Sequence, residues 1–106
     1  MKTFQEFWPF YLGEHSNRTN RLLHFMGSTL SLCILISGVL RGDWRAFPVA
    51  LLCGYGFAWV GHFVIEKNRP ATFKYPFWSF AGDWKMWALM LTGRLEKERQ
   101  RLGQTT

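Results

Sequence analysis

Two stretches without a formal charge dominate this chain: Leu22 to Leu40, 19 residues, and Ala46 to Ile65, 20 residues. Only Arg41-Gly42-Asp43-Trp44-Arg45 separates them. A bilayer's hydrocarbon core is about 30 Å thick and takes roughly 20 helical residues to cross. Two spans fit, and so short a connection forces an antiparallel hairpin. The soluble alternative is a small bundle with both helices buried, but the 67 remaining residues (106 − 39) are rich in charge and Trp and cover them poorly. The chain therefore reads as one domain, 1–106, all-α: a membrane helical hairpin with spans at about 22–40 and 46–65. Interfacial helices flank it on the N-terminal and C-terminal sides, and the tail, 94–106, is basic.

Hydrophobic residues make up 48% of the chain and aromatics 18%, too much apolar surface for a disordered segment. Two Cys, both within the apolar stretches, exclude a disulfide scaffold. Cys33 and Cys53 read as inert packing thiols. Lys and Arg number 13 against seven acids. The connection holds two of them, Arg41 and Arg45, and the other 11 lie outside the hairpin. That asymmetry turns both termini to the cytoplasm. The basic excess reads as topology and attraction to anionic lipid, with no nucleic-acid partner. Trp8, Trp78, Trp84 and Trp87 form a belt on the cytoplasmic side, with Trp44 on the other. Neither stretch reads as a cleaved signal peptide, since the first begins beyond residue 20 and contains His24.

Thr3 to Glu6 has capping-box spacing, and Phe4, Phe7, Trp8 and Tyr11 then recur at helical intervals, as on an interfacial helix. Pro9 predicts a kink or a broken start. Thr19 or Asn20 caps the first span, and Pro48 sits in the first turn of the second, where proline is tolerated. After Tyr75 the aromatic and apolar runs are interrupted by Asp83 and Lys85, predicting an interfacial or re-entrant helix instead of a third crossing. Arg94 to Leu102 alternates charge, as on a solvated helix. Gly38 and Gly42 have the spacing of a helix-dimer motif, which leaves a homo-oligomer open.

The hairpin places two histidines at one depth. His24 lies two residues inside the first span and His62 three residues inside the end of the second. Asn20, His24 and Ser28, with Gly27 and Ser31 alongside, form one small, polar face, and Gly54, Ala58, His62 and Glu66 form the other. Small residues let helices approach closely in lipid, so the faces pack and His24 meets His62. A fold-back at Asn17 to Asn20 brings His15 over the same pocket. Three imidazoles suit iron, zinc, copper or nickel, whereas a histidine taken singly is more often a hydrogen-bonding helix contact than a ligand. Glu66, one turn from His62, is a fourth ligand, an acceptor orienting that ring, or a surface ion-pair partner of Lys67 or Arg69.

His15-Ser16-Asn17-Arg18-Thr19-Asn20 with His24, followed by Gly61-His62-Phe63-Val64-Ile65-Glu66-Lys67-Asn68-Arg69-Pro70-Ala71, resembles the 2-hydroxy fatty acid dioxygenase family of phytosphingosine breakdown. The likeness covers roughly residues 10 to 72, and the tail with Gly82-Asp83 looks like that of short bacterial members. The resemblance implies an iron(II) enzyme that uses dioxygen to shorten a 2-hydroxy fatty acid by one carbon. It implies a bacterial inner-membrane location, and iron held by His15, His24 and His62. Compared with the eukaryotic pattern, the helices between the two blocks are reduced to one hairpin and no further histidine is present. On this reading the substrate tail lies in lipid and its carboxylate is gripped by Arg69, Arg21 or Arg18. Asn20 and Asn68 either anchor imidazoles or cap helices, capping being the expectation. Two competing readings are a haem held between His24 and His62, and a non-catalytic membrane protein with structural histidines.

Overall fold

In the computed structural model, which describes residues 2–104, the chain is helical throughout and no strand occurs among the described residues. Helix α1 runs from Phe4 to Gly13 and α2 from Arg18 to Arg41. Helix α3, Ala46–Val60, continues without a break into a π-helical turn, Gly61–Glu66. A 3-10 turn at Ala71–Phe73 leads to α4, Pro76–Leu91, and then to α5, Leu95–Arg101.

The hairpin is α2 against α3. Arg41 is followed by Gly42 in the left-handed region (φ 66°), the conformation that glycine adopts without strain. The backbone N–H groups of Gly42 and Asp43 donate to Val39 O and Gly38 O, ending the helix within one turn. Gly38 has no room for a side chain, because a Cβ there would fall 2.1 Å from that of Ala46. Its bare face is thus taken up by the hairpin's own turn, and Gly42 is a helix cap, so the Gly38–Gly42 spacing is explained without a dimer.

Both helices are long and apolar enough to cross a membrane: 24 residues for α2 and 21 for α3 with its π turn. Only 22% of the most apolar window of each is buried against the rest of the protein. Leu30, Ile36, Leu40, Leu52, Val60 and Val64 all face outward. A soluble core helix buries such side chains, whereas lipid covers them at no cost. Cys33 shares that outward surface, so it is an exposed thiol and not a packed one, while Cys53 is half-buried.

The core sits outside the hairpin, where α1 lies on α4 and α5. Phe7, Tyr11, Leu12 and Met86 are fully covered there, with Trp8 and Leu95 beside them. Burying each large apolar side chain is worth about 1.5–3 kcal/mol. Thr3 caps α1 by accepting from Glu6 N, as its spacing predicts, and Glu6 in turn accepts from Lys2 N. Pro9 does not break the helix, which is continuous from Phe4 to Gly13. Trp8 is 3% exposed, so it belongs to this core and not to an interfacial belt. Its indole N–H donates to Glu98 at 2.8 Å, and the Lys85 ammonium stands 4.4 Å above its ring.

Two further expectations change. The first span is capped by Asn17, whose side chain accepts from Thr19 N and Asn20 N, not by Thr19 or Asn20. The tail helix α5 is not fully solvated: Leu95 and Arg99 are buried, and Gln104 donates to Pro9 O. The residues after Tyr75 form one 16-residue helix, about 24 Å long, too short for a third crossing.

Glycine sets the approach of α2 to the π turn. A Cβ on Gly61 would fall 1.8 Å from Asn20 Oδ1. Gly61→Ala is therefore expected to lower stability by about 1–3 kcal/mol, the range for overpacking. Gly56→Ala, where nothing lies within 4 Å of the added atom, should leave it unchanged. Thermal unfolding of the two variants in detergent micelles, followed by circular dichroism, checks this contrast.

Candidate metal centre

The three histidines gather at the open end of the hairpin, each carried by a different element. His15 sits in the turn between α1 and α2, which spans Glu14 to Asn17 and so begins earlier than the expected fold-back. Arg21, on the first turn of α2, fixes this turn by donating to His15 O at 3.0 Å and Ser16 O at 2.7 Å. Arg21 is buried and also pairs with Glu96 at 3.6 Å. It is a clamp on the histidine turn and is not free to grip a substrate.

His62 enters from the π turn, a register found disproportionately at functional sites. Lys67 then takes the left-handed conformation (φ 57°) and reverses the chain, and Asn68 returns to His62. The Asn68 amide N–H donates to His62 O, and its side-chain nitrogen donates to Glu14 O and to the Glu14 carboxylate. Those bonds leave Asn68 Oδ1 as the acceptor that faces His62 Nδ1 at 2.7 Å. His62 therefore carries its proton on Nδ1 and presents a bare Nε2. Asn68 anchors an imidazole; it does not cap a helix.

His15 is held the same way. Its Nδ1 donates to Tyr11 O at 2.8 Å, again leaving Nε2 bare. Burial, and then the neighbouring His24 and His62, keep its pKa well below the usual imidazole value, so the ring is neutral. The two bare nitrogens, His15 Nε2 and His62 Nε2, face each other at 3.0 Å. Two lone pairs at that distance repel unless something positive lies between or beside them. Two nitrogens each about 2.1 Å from one ion, at a right angle, stand about 3.0 Å apart. The pair has the separation of neighbouring ligands on an octahedral cation.

His24 is arranged differently. Its Nε2 lies 3.0 Å from Asp83 Oδ1, and the same carboxylate oxygen accepts from the Tyr11 hydroxyl. His24 Nε2 thus carries the hydrogen that Asp83 accepts, and Nδ1 is buried without a hydrogen-bond partner. The His15 and His24 rings are 5.2 Å apart and those of His15 and His62 are 4.4 Å apart. The contacts run through His15, where the sequence put His24 directly on His62. Among the described residues no three His, Cys, Asp or Glu side chains converge on one point as they stand. The donors are two pairs, His15 with His62 and His24 with Asp83, lining one cavity with Tyr11 and Ser79.

Glu66 does not reach His62. Its carboxylate accepts from Ser16 Oγ, Asn17 N and Asn20 Nδ2, which ties the π turn to the start of α2. Nor does it pair with Lys67 or Arg69. Arg69 and Arg18 are exposed, and neither has an ion-pair partner among the described residues.

Sequence reading missed Tyr11 and Asp83, and it preferred capping to anchoring for Asn68. Tyr11 precedes His15 by one helical turn, a spacing that puts both on one face. Asp83 was visible as a lone acid within an aromatic run. Gly82 makes its position possible, since a Cβ there would already press on the Tyr11 ring at 3.2 Å.

These features define a small all-α protein with two helices of membrane-crossing length and a histidine cluster buried where they open. The chain belongs to the Mpo1-like family, described as 2-hydroxy-palmitic acid dioxygenase Mpo1-like, which matches residues 1–95. The match extends beyond the two histidine blocks to take in α4 and Asp83. No curated protein and no solved structure matches the chain.

Proposed function

We propose that the protein is an integral membrane iron(II) dioxygenase that shortens 2-hydroxy fatty acids by one carbon, working at the cytoplasmic face of a bacterial inner membrane. The observation that carries this reading is the facing pair of bare imidazole nitrogens, His15 Nε2 and His62 Nε2, at 3.0 Å. The family's name supplies the substrate class. His15 and His62 would hold the ion, with His24 as the third histidine. Ferrous ion supplies a site where dioxygen and a chelating 2-hydroxy acid can be activated side by side.

The chain's own residues do the rest. Tyr11 O and Asn68 Oδ1 hold the rings of His15 and His62 in the tautomer that points Nε2 inward. The buried Tyr11 keeps its proton, because desolvation and then the charge of Asp83 raise its pKa well above the usual phenol value. It therefore stays a donor to Asp83. The aromatic core of α1 and α4 excludes water from one side of the cluster. Arg69, exposed and next to the anchoring Asn68, is the counter-charge for the substrate carboxylate, since guanidinium binds carboxylate bidentately. The excess of basic residues outside the hairpin supports a cytoplasmic position for both termini.

The donor set does not favour haem. A haem would need His24 and His62 as its ligands, and His24 Nε2 is turned to Asp83 instead. Protein purified without oxygen should contain about one iron per chain, show no Soret band, and consume oxygen only when a 2-hydroxy acid such as 2-hydroxypalmitate is added. Iron-free protein that still consumes oxygen, or iron-loaded protein that does not, overturns the reading.

A further inference from the structure

A groove opens from the His24–Asp83 end of the cluster and runs along the seam of the hairpin, with α4 as its third wall. It is a narrow slot of about 50 Å³, open along its rim and well under the size of a typical small-molecule site. Its head is polar, with His24, Asp83 and Ser28. Its far end is formed by Ser31, Ala50, Leu51 and Gly54. Ser31 presents little polarity there, since its hydroxyl donates to Ala50 O at 2.8 Å. The rim residues Leu51 and Phe80 are 54% and 53% exposed on the surface that faces lipid.

The glycines of the seam are not alike. Gly27 and Gly61 are required by packing, since a Cβ on either would fall within 2.5 Å of a neighbour. A Cβ on Gly54 meets only Ser31, at an ordinary 3.5 Å. Close approach of the helices therefore does not demand glycine at position 54. What the missing side chain does there is keep the groove open.

We propose that this groove is the channel for the acyl chain of the 2-hydroxy acid, entered sideways from the bilayer, and that Gly54 with Ser31 sets how much chain it admits. The inference rests on the dioxygenase reading for the identity of the head group. From His24 to Ser31 is seven residues, about 10 Å along the helix. Carbon–carbon bonds of about 1.5 Å in a staggered zigzag advance about 1.3 Å each, so the groove takes about eight carbons. The remainder of a longer chain stays in lipid. Short 2-hydroxy acids should end before Gly54 and long ones should pass it.

The test is the ratio of kcat/KM for 2-hydroxypalmitate to that for 2-hydroxyhexanoate. Gly54→Leu should lower it at least tenfold. Leu51→Trp, which fills the groove from its exposed rim without touching the seam, should lower it in the same direction and guards against a folding defect in the first variant. In parallel, a palmitate probe bearing a diazirine at mid-chain, used with the wild type in vesicles, should label Leu51, Tyr55 or Trp84, and excess 2-hydroxypalmitate should suppress the label. Label outside the groove, label that 2-hydroxypalmitate cannot displace, or an unaltered ratio in both variants overturns the channel. Displaceable groove labelling by a wild type that consumes no oxygen supports the channel and sinks the dioxygenase reading instead.

Discussion

His62→Ala is expected to lose ferrous ion almost completely, with affinity falling by more than about 100-fold, and to lose 2-hydroxy-acid-dependent oxygen uptake with it. The ground is the tautomer chain that starts at Glu14. Asn68 donates to Glu14, so its oxygen faces His62, so His62 Nε2 is bare. Losing a group that only orients a ligand costs about 10–100-fold in metal affinity, and losing the ligand costs more. His15→Ala should match it, because His15 supplies the other half of the pair. Stability separates this outcome from a structural role. Without metal, the two facing lone pairs repel, so removing one ring should leave the melting temperature of the apo protein level or raise it. With ferrous ion at about 100 times its Kd, the wild type should gain about 2.7 kcal/mol, and His62→Ala should gain nothing. A variant that unfolds without metal, or that binds iron as the wild type does, would remove His62 from the ligand set. Chelator competition and detergent-solubilised melting curves read both quantities.

How much of this was legible in advance follows from what each signal depends on. The two charge-free stretches and the five-residue connection determine the hairpin, because backbone groups in lipid leave few alternatives to helix. Thr3 caps α1 as its spacing predicts, since capping is local chemistry. Errors arose where a tertiary partner decides. Asn17, Thr19 and Asn20 are equivalent cap candidates by composition, and the choice falls to Asn17 while the Asn20 side-chain amide donates to Glu66. Asn68 looked like a cap until the left-handed turn at Lys67 brought it back to His62. Arg99 looked solvated, yet it is covered by the packing of α5. The histidine cluster was foreseen as a meeting of three segments. Its internal order was not, because that depends on the π turn and on Asp83, 21 residues beyond His62.

Asp83→Asn should weaken ferrous binding by about 10–100-fold while leaving the helical content and the melting temperature of the apo protein in place. Asp83 Oδ1 receives both the Tyr11 hydroxyl and the hydrogen on His24 Nε2, and among the described residues it is the one carboxylate that touches the histidines. Asparagine keeps the shape and one acceptor oxygen but removes the charge that offsets a divalent ion beside neutral imidazoles. Tyr11→Phe keeps that charge and removes only a donor, so its effect on affinity should stay within about tenfold, the net worth of one hydrogen bond. Tyr11 does not ionise between about pH 6 and 9, since burial and Asp83 hold its proton in place. The pH profile of oxygen uptake should therefore keep its shape in Tyr11→Phe. If Asp83→Asn instead binds iron as tightly as the wild type while His62→Ala does not, Asp83 serves only to seat α4 against Tyr11, and the centre is built from imidazoles alone.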